Sequence, residues 1–157
     1  MSKSIFIRPM EEKDLDAVMK IEEESFIDPW RLEDMYYDLY ENPIAHLLVL
    51  TYDDVVLGFA SYWVTYNSAT IAQIAISEDA RGVGLATLLL NDIIRRVSMV
   101  EEVKMMTLEV RESNLAARKL YLKTGFFVSH KKLGYYADGE NAIYMMREMR
   151  SNENLSN

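Results

Sequence analysis

Residues 80–90 read ARGVGLATLLL, two glycines separated by one residue, with an arginine ahead of them and an apolar run behind. Upstream, ATIAQIAI at 69–76 reads as a strand, while Val83, Leu85, Leu88, Leu89, Ile93, Ile94 and Val97 recur at helical spacing to about Met99. The stretch is therefore a strand, a glycine turn and a helix start in succession. Such a junction aims backbone N–H groups and the positive end of a helix dipole at whatever lies in front of it, which suits an anion. The same glycines would equally serve a tight strand-to-helix turn with nothing bound.

Spacing narrows the choice among phosphate loops. A nucleotide-hydrolysing loop needs Gly-x-x-x-x-Gly-Lys-Ser/Thr, and no lysine follows these glycines before Lys104. A dinucleotide turn needs a third glycine for close helix packing, and Thr87 stands there. What remains is Arg/Gln-x-x-Gly-x-Gly/Ala, matched by Arg81-Gly82-Val83-Gly84-Leu85-Ala86.

Working outward, SIFIRPM at 4–10 alternates as a strand, and the segment behind it places Leu15, Val18, Met19, Ile21, Glu22 and Phe26 on one helical stripe after an acidic first turn. Asp28-Pro29-Trp30 interrupts, and a second helix ends at Asn42-Pro43. Strands follow at 45–52, 55–64 and 69–76, joined by turns at Asp53-Asp54 and Asn67-Ser68, an antiparallel meander by its spacing. After the glycine turn and its helix come a strand at 105–110, a cap at Ser113 or Asn114, and a helix stopped by Gly125. Strands near 126–133 and 142–148 flank GYYADGEN, where Asp138-Gly139 signals a turn.

With 157 residues, 50% of them hydrophobic, the chain can bury the core of one domain; we expect residues 1–150 to form it and the polar 151–157 to be a disordered tail. Cysteine is absent, which removes disulfides, thiolate metal ligands and a cysteine nucleophile together. The two histidines, His46 and His130, supply neither a zinc site nor a Ser-His pair, so no metal is expected. A net charge of −8 opposes nucleic acid and admits a cationic partner. Apolar runs such as AHLLVL at 45–50 fall far short of the roughly 20 residues that span a bilayer, and a cytoplasmic protein without membrane contact is expected.

The Arg81–Thr87 turn resembles the pyrophosphate loop of the GNAT superfamily of acetyl-CoA-dependent N-acetyltransferases. TLEVRESNLAARKLYLKTGF at 107–126 resembles a strand and helix of RimI-type and archaeal N-terminal acetyltransferases, and GYYADGENAIYMM at 134–146 is similar to the last hairpin of their catalytic subunits. Three blocks in the same order cover nearly the whole chain. The resemblance implies an α/β (α+β) GNAT fold: a single mixed, mostly antiparallel twisted sheet of about seven strands, four helices, and a V-shaped splay between strands 4 and 5.

It also implies roles. Backbone groups of Ile74, Ala75 and Ile76 would pair with the pantetheine arm of acetyl-CoA as an added strand does. The N–H groups of Gly82, Val83, Gly84, Leu85, Ala86 and Thr87 would receive the pyrophosphate, with Arg81 as a nearby charge. Asn114 would either bond the cofactor or cap its own helix. Glu109, on the strand face opposite Leu108 and Val110, would take the amine's proton directly or through water; its alternative is a solvent-facing strand glutamate. Tyr121 would give a proton to the departing thiolate, or simply pack. A free α-amino group has a pKa near 8, so roughly a tenth is neutral at pH 7 and the base need not be strong. Without a cysteine, direct transfer in a ternary complex follows.

The acceptor would meet Phe26, Asp28 and Trp30 on one side and Tyr135 and Tyr136 on the other, aromatic groups for peptide backbone and a carboxylate for a cationic terminus. Here the chain reads IDPW, closer to the RimI-type PW than to the PENY of archaeal relatives. The expected partners are protein or peptide N-termini, a ribosomal protein or nascent chains among them, with or without an auxiliary subunit. A GNAT enzyme for a small amine or a lysine side chain, or a non-catalytic acetyl-CoA-binding subunit, are the alternatives.

Overall fold

The structure, a computed structural model, describes residues 4–149. Among these residues the elements are β1 (Ile5–Pro9), α1 (Leu15–Ser25), α2 (Leu32–Tyr40), β2 (Ala45–Tyr52), β3 (Val55–Val64), β4 (Ser68–Ile76), α3 (Leu85–Ser98), β5 (Met105–Arg111), α4 (Leu115–Lys123), β6 (Phe127–Lys132) and β7 (Ala142–Glu148). Short 3-10 turns, Glu12–Asp14 and Glu78–Ala80, precede α1 and follow β4. The expected tail at 151–157 lies outside the described residues.

The strands form one seven-stranded sheet in the order β1-β2-β3-β4-β5-β7-β6. β1–β2, β2–β3, β5–β7 and β6–β7 are antiparallel, and β4–β5 is parallel. The expected splay is visible in that parallel pairing, which joins Ser68–Thr70 to Met105–Thr107 and goes no further along β4. Thr70 and Thr107 hydroxyls share a hydrogen bond of 2.9 Å at its last rung.

The chain divides into two compact units, Met1–Val64 with Ile71–Ile93, and Thr65–Thr70 with Ile94–Asn157. In the first, the stripe read from sequence becomes a core: Leu15, Val18 and Ile21 of α1 and Met35 of α2 pack with Leu47, Val49, Phe59 and Ala75 of the strands. Full burial of each such side chain is worth about 1.5–3 kcal/mol. β2 is buried from Leu47 to Thr51, four apolar residues and a threonine in a row, as in a strand covered on both faces. It meets β3 through Asp53 and Asp54, both at positive φ (52° and 62°), a hairpin turn made without glycine. The turn expected at Asn67-Ser68 sits one residue earlier, since Ser68 already starts β4.

Acidic side chains set the starts of the 3-10 turn before α1 and of α2. Asp14 accepts the Glu11 N–H at 2.8 Å and Asp34 accepts the Arg31 N–H at 2.9 Å. In the second unit Met106, Leu108 and Val110 of β5, Tyr121 of α4, and Ala142, Ile143 and Met145 of β7 are buried.

Candidate active site

The glycine turn belongs to the first unit. Gly82 and Gly84 both hold positive φ (83° and 89°), a conformation that L side chains rarely adopt, and a Cβ built on either would meet nothing within 4 Å. The turn is thus shaped by its glycines while remaining open on the side where they lack a side chain. α3 starts at Leu85, and its first return bond runs from the Leu88 N–H to the Gly84 carbonyl at 3.1 Å. The N–H groups of Leu85, Ala86 and Thr87 therefore have no acceptor within the helix, at the end where the dipole is positive. Leu85 is buried and pins the turn, whereas Val83 is 74% exposed. An open, donor-rich turn of this kind fits the pyrophosphate of coenzyme A.

Arg81 does more than add charge beside the turn. Its Nε donates to the Ile76 carbonyl at 2.9 Å and its Nη2 to Ser25 Oγ at 3.0 Å, tying the ends of β4 and α1 together. Glu24 at the same helix end accepts the Glu78 N–H at 3.1 Å. Of the three residues expected to offer backbone groups, Ile76 thus has its carbonyl engaged, while Ile74 and Ala75 precede it on β4.

The α1–α2 loop is held by Glu22, which is fully buried on α1. Its Oε2 accepts the Trp30 N–H at 3.0 Å and the Gln73 side-chain amide at 2.7 Å, so one carboxyl links the loop to β4 one residue before Ile74. Glu22 Oε1 and Gln73 Oε1 have no hydrogen-bond partner. Burial pushes the Glu22 carboxyl above the ordinary glutamate range, with the Trp30 and Gln73 bonds opposing only in part. Trp30 stacks on Trp63 at 6.4 Å, Phe26 packs against the core, and Asp28 is exposed. Sequence reasoning gave Glu22 no role, although a glutamate inside an apolar stripe was the available signal.

The proposed catalytic pair lies in the second unit. Glu109 is half-buried between buried Leu108 and Val110, the alternation expected of it. Its Oε1 accepts from Lys132 Nζ at 2.8 Å. Interaction with the Glu109 carboxylate, with partial burial, holds the Tyr135 phenol up at about 12. Tyr121 is 6% exposed on α4, edge-on to Phe126 at 5.7 Å, and burial drives its phenol far above the usual tyrosine value, with Tyr136 adding to the shift. Tyr136 in turn feels the charge of Glu109. Around Glu109 the structure thus gathers Lys132, with the Tyr135 and Tyr144 rings 5.2 Å and 4.7 Å from its ammonium, while Tyr121 packs against Phe126.

The hairpin tip is fastened by Arg111. It donates to Asp138 and Glu140 at 2.9 Å each and lies 4.1 Å from the Tyr136 ring centroid. Glu140 also accepts the Ser113 N–H at 2.8 Å, and these bonds, that of Ser113 foremost, hold its carboxyl down at about 2. Asp138 and Glu140 are spoken for locally. Asn114 caps its own helix, its Oδ1 accepting the Ala117 N–H at 3.2 Å. Lys132 and Arg111 were both missed from sequence, because their partners are 23 to 29 residues away.

Residues 15–126 match the acetyltransferase (GNAT) family. A [ribosomal protein bS18]-alanine N-acetyltransferase of Salmonella typhimurium is 35% identical over 135 residues, covering 84% of this chain and 89% of the relative. An N-alpha-acetyltransferase of Saccharolobus solfataricus is 28% identical over 87% of this chain and 88% of the relative. Among solved structures, the ribosomal-protein-S18-alanine N-acetyltransferase of Escherichia coli superposes with a TM-score of 0.86 at 31% identity, covering 96% of this chain and 98% of that one. The open glycine turn, the parallel strands that part after three residues and these relatives agree, and the chain belongs to the GNAT family of acetyltransferases.

Proposed function

We propose that this enzyme is an acetyl-CoA-dependent protein N-terminal α-amino acetyltransferase in which Glu109 receives the proton of the acceptor amine and Tyr121 supplies one to the departing sulfur. The observation that carries the assignment is the half-buried Glu109 carboxylate held by Lys132 at 2.8 Å, in the same unit as the buried Tyr121 phenol on α4.

Acetyl-CoA, when bound, supplies the acetyl group as an activated thioester. The N–H groups from Gly82 to Thr87 would hold its pyrophosphate with Arg81 alongside, and the backbone of Ile74 to Ile76 its pantetheine arm. Glu109 removes a proton from an amine that is already partly neutral, so a carboxylate suffices. Tyr121 keeps its proton throughout the physiological range because burial disfavours the phenolate, and so it stays available as an acid. No cysteine is present to carry the acetyl group, which favours direct transfer in a ternary complex.

The acceptor is a protein N-terminus, with a ribosomal protein or nascent chain as the natural case by analogy with the bS18-alanine enzymes. Phe26, Asp28, Trp30, Tyr135 and Tyr136 would line its path, and residues 1–150 would act as one catalytic domain. No helix among the described residues is long and apolar enough to cross a membrane, and the cytoplasm, where ribosomal proteins are made, is the proposed compartment.

The test is thiol release from acetyl-CoA with a free N-terminal peptide. Glu109→Gln and Tyr121→Phe are each expected to lower kcat by about 10²-fold while changing KM for acetyl-CoA less than threefold. Unchanged kcat in either variant removes that residue from the mechanism.

A further inference from the structure

β6 is an edge strand of the sheet, and lysines on an edge commonly serve to keep other strands away. Lys131 pairs with Glu112. Lys132 does something else. Its Nζ lies 2.8 Å from Glu109 Oε1, 4.7 Å from the Tyr144 ring centroid and 5.2 Å from that of Tyr135, and its side chain is only 34% exposed. A carboxylate and two aromatic rings around one ammonium are the contacts by which proteins hold a cationic amine ligand. The α-ammonium of a peptide N-terminus is the same chemical group as the one already seated there.

We infer that Lys132 is a specificity-determining residue of the acceptor site: its ammonium contests the Glu109 carboxylate with the protonated acceptor, so the site selects the neutral amine. This rests on the reading of Glu109 as the group that receives the amine's proton. A protonated terminus approaching Glu109 meets a like charge, which lowers its own proton affinity, whereas a neutral terminus meets none. The form admitted is the one with a free electron pair for the thioester. The titratable groups around Lys132 are Glu109 from β5, Tyr144 from β7 and Tyr135 from the following turn; His130 of its own strand stacks on Tyr144 at 4.8 Å.

The experiment follows kcat and peptide KM between pH 6 and 9.5 for the full chain, using acetyl-CoA and one free N-terminal peptide. Wild type is compared with Lys132→Met, Lys132→Arg and Glu109→Gln. Because kcat reports groups in the bound complex, Lys132→Met is expected to move the midpoint of its rise with pH upward by about one unit, and to lower peptide KM at pH 7 several-fold. Lys132→Arg should restore the wild-type profile, and KM for acetyl-CoA should not change in either. An impaired Glu109→Gln beside a Lys132→Met enzyme that matches wild type in kcat profile and peptide KM overturns this inference alone. A fully active Glu109→Gln overturns the base assignment together with the inference that depends on it.

Discussion

The two units treat a glutamate in opposite ways. In the first, Glu22 is fully buried, its donors are a backbone amide and a glutamine, no cation faces it among its hydrogen-bond partners, and burial pushes its carboxyl toward the neutral acid. In the second, Glu109 is half-buried and bound by a lysine at 2.8 Å. The difference separates two jobs. Glu22 needs only to hold the α1–α2 loop to β4, where burial disfavours its charged form. Glu109, in the role proposed for it, exchanges a proton, and it sits half-buried with the Lys132 ammonium as its counter-charge.

Breaking the backbone half should have the largest effect. Gly84→Val puts a β-branched side chain at φ 89° into the open face of the turn. We expect the Kd for coenzyme A to rise at least about 100-fold, roughly 2.7 kcal/mol, by calorimetry, with thermal stability lowered by only a few degrees. Glu109→Gln should leave that Kd within about threefold, since its cluster is built from other residues. An unchanged Kd in Gly84→Val would end the pyrophosphate assignment.

The buried Glu22 carboxyl gives a smaller and more graded expectation. Glu22→Ala removes the acceptor of the Trp30 N–H and leaves a cavity, for about 2–4 kcal/mol of destabilisation, whereas Glu22→Gln keeps an acceptor oxygen and should cost about 1 kcal/mol or less at neutral pH. The pH dependence fixes the sign. A carboxyl whose folded-state pKa lies above its ordinary value of 4.5 contributes most below that value, and the contribution is lost as pH rises through the folded pKa. Urea denaturation should therefore show the stability of Glu22→Gln relative to wild type increasing from pH 4 to pH 7. A constant or decreasing difference would mean that burial does not raise the Glu22 carboxyl in the fold.

What the sequence disclosed follows the range of the forces involved. The element order was legible from hydrophobic period and turn residues, and the glycine turn from a motif whose physics is complete within seven residues. The outward face of Glu109 followed from strand alternation alone. Lys132 and Arg111 were not legible, because strand pairing across a hairpin sets their partners. Nor was the bond of Glu22 to Gln73, 51 residues away. Asn114 caps its own helix through Oδ1, and Arg81 gains a structural bond to Ile76 that a spacing pattern does not encode.

The central claim is that the acceptor is a peptide α-amine. It is tested most directly by reacting the enzyme and acetyl-CoA with a peptide that carries both a free N-terminus and internal lysines, then locating the acetyl group by fragmentation mass spectrometry. The account predicts a single acetyl group on the α-nitrogen, and no transfer to the same peptide with its terminus blocked. Acetyl groups on the lysine side chains of the blocked peptide would contradict it.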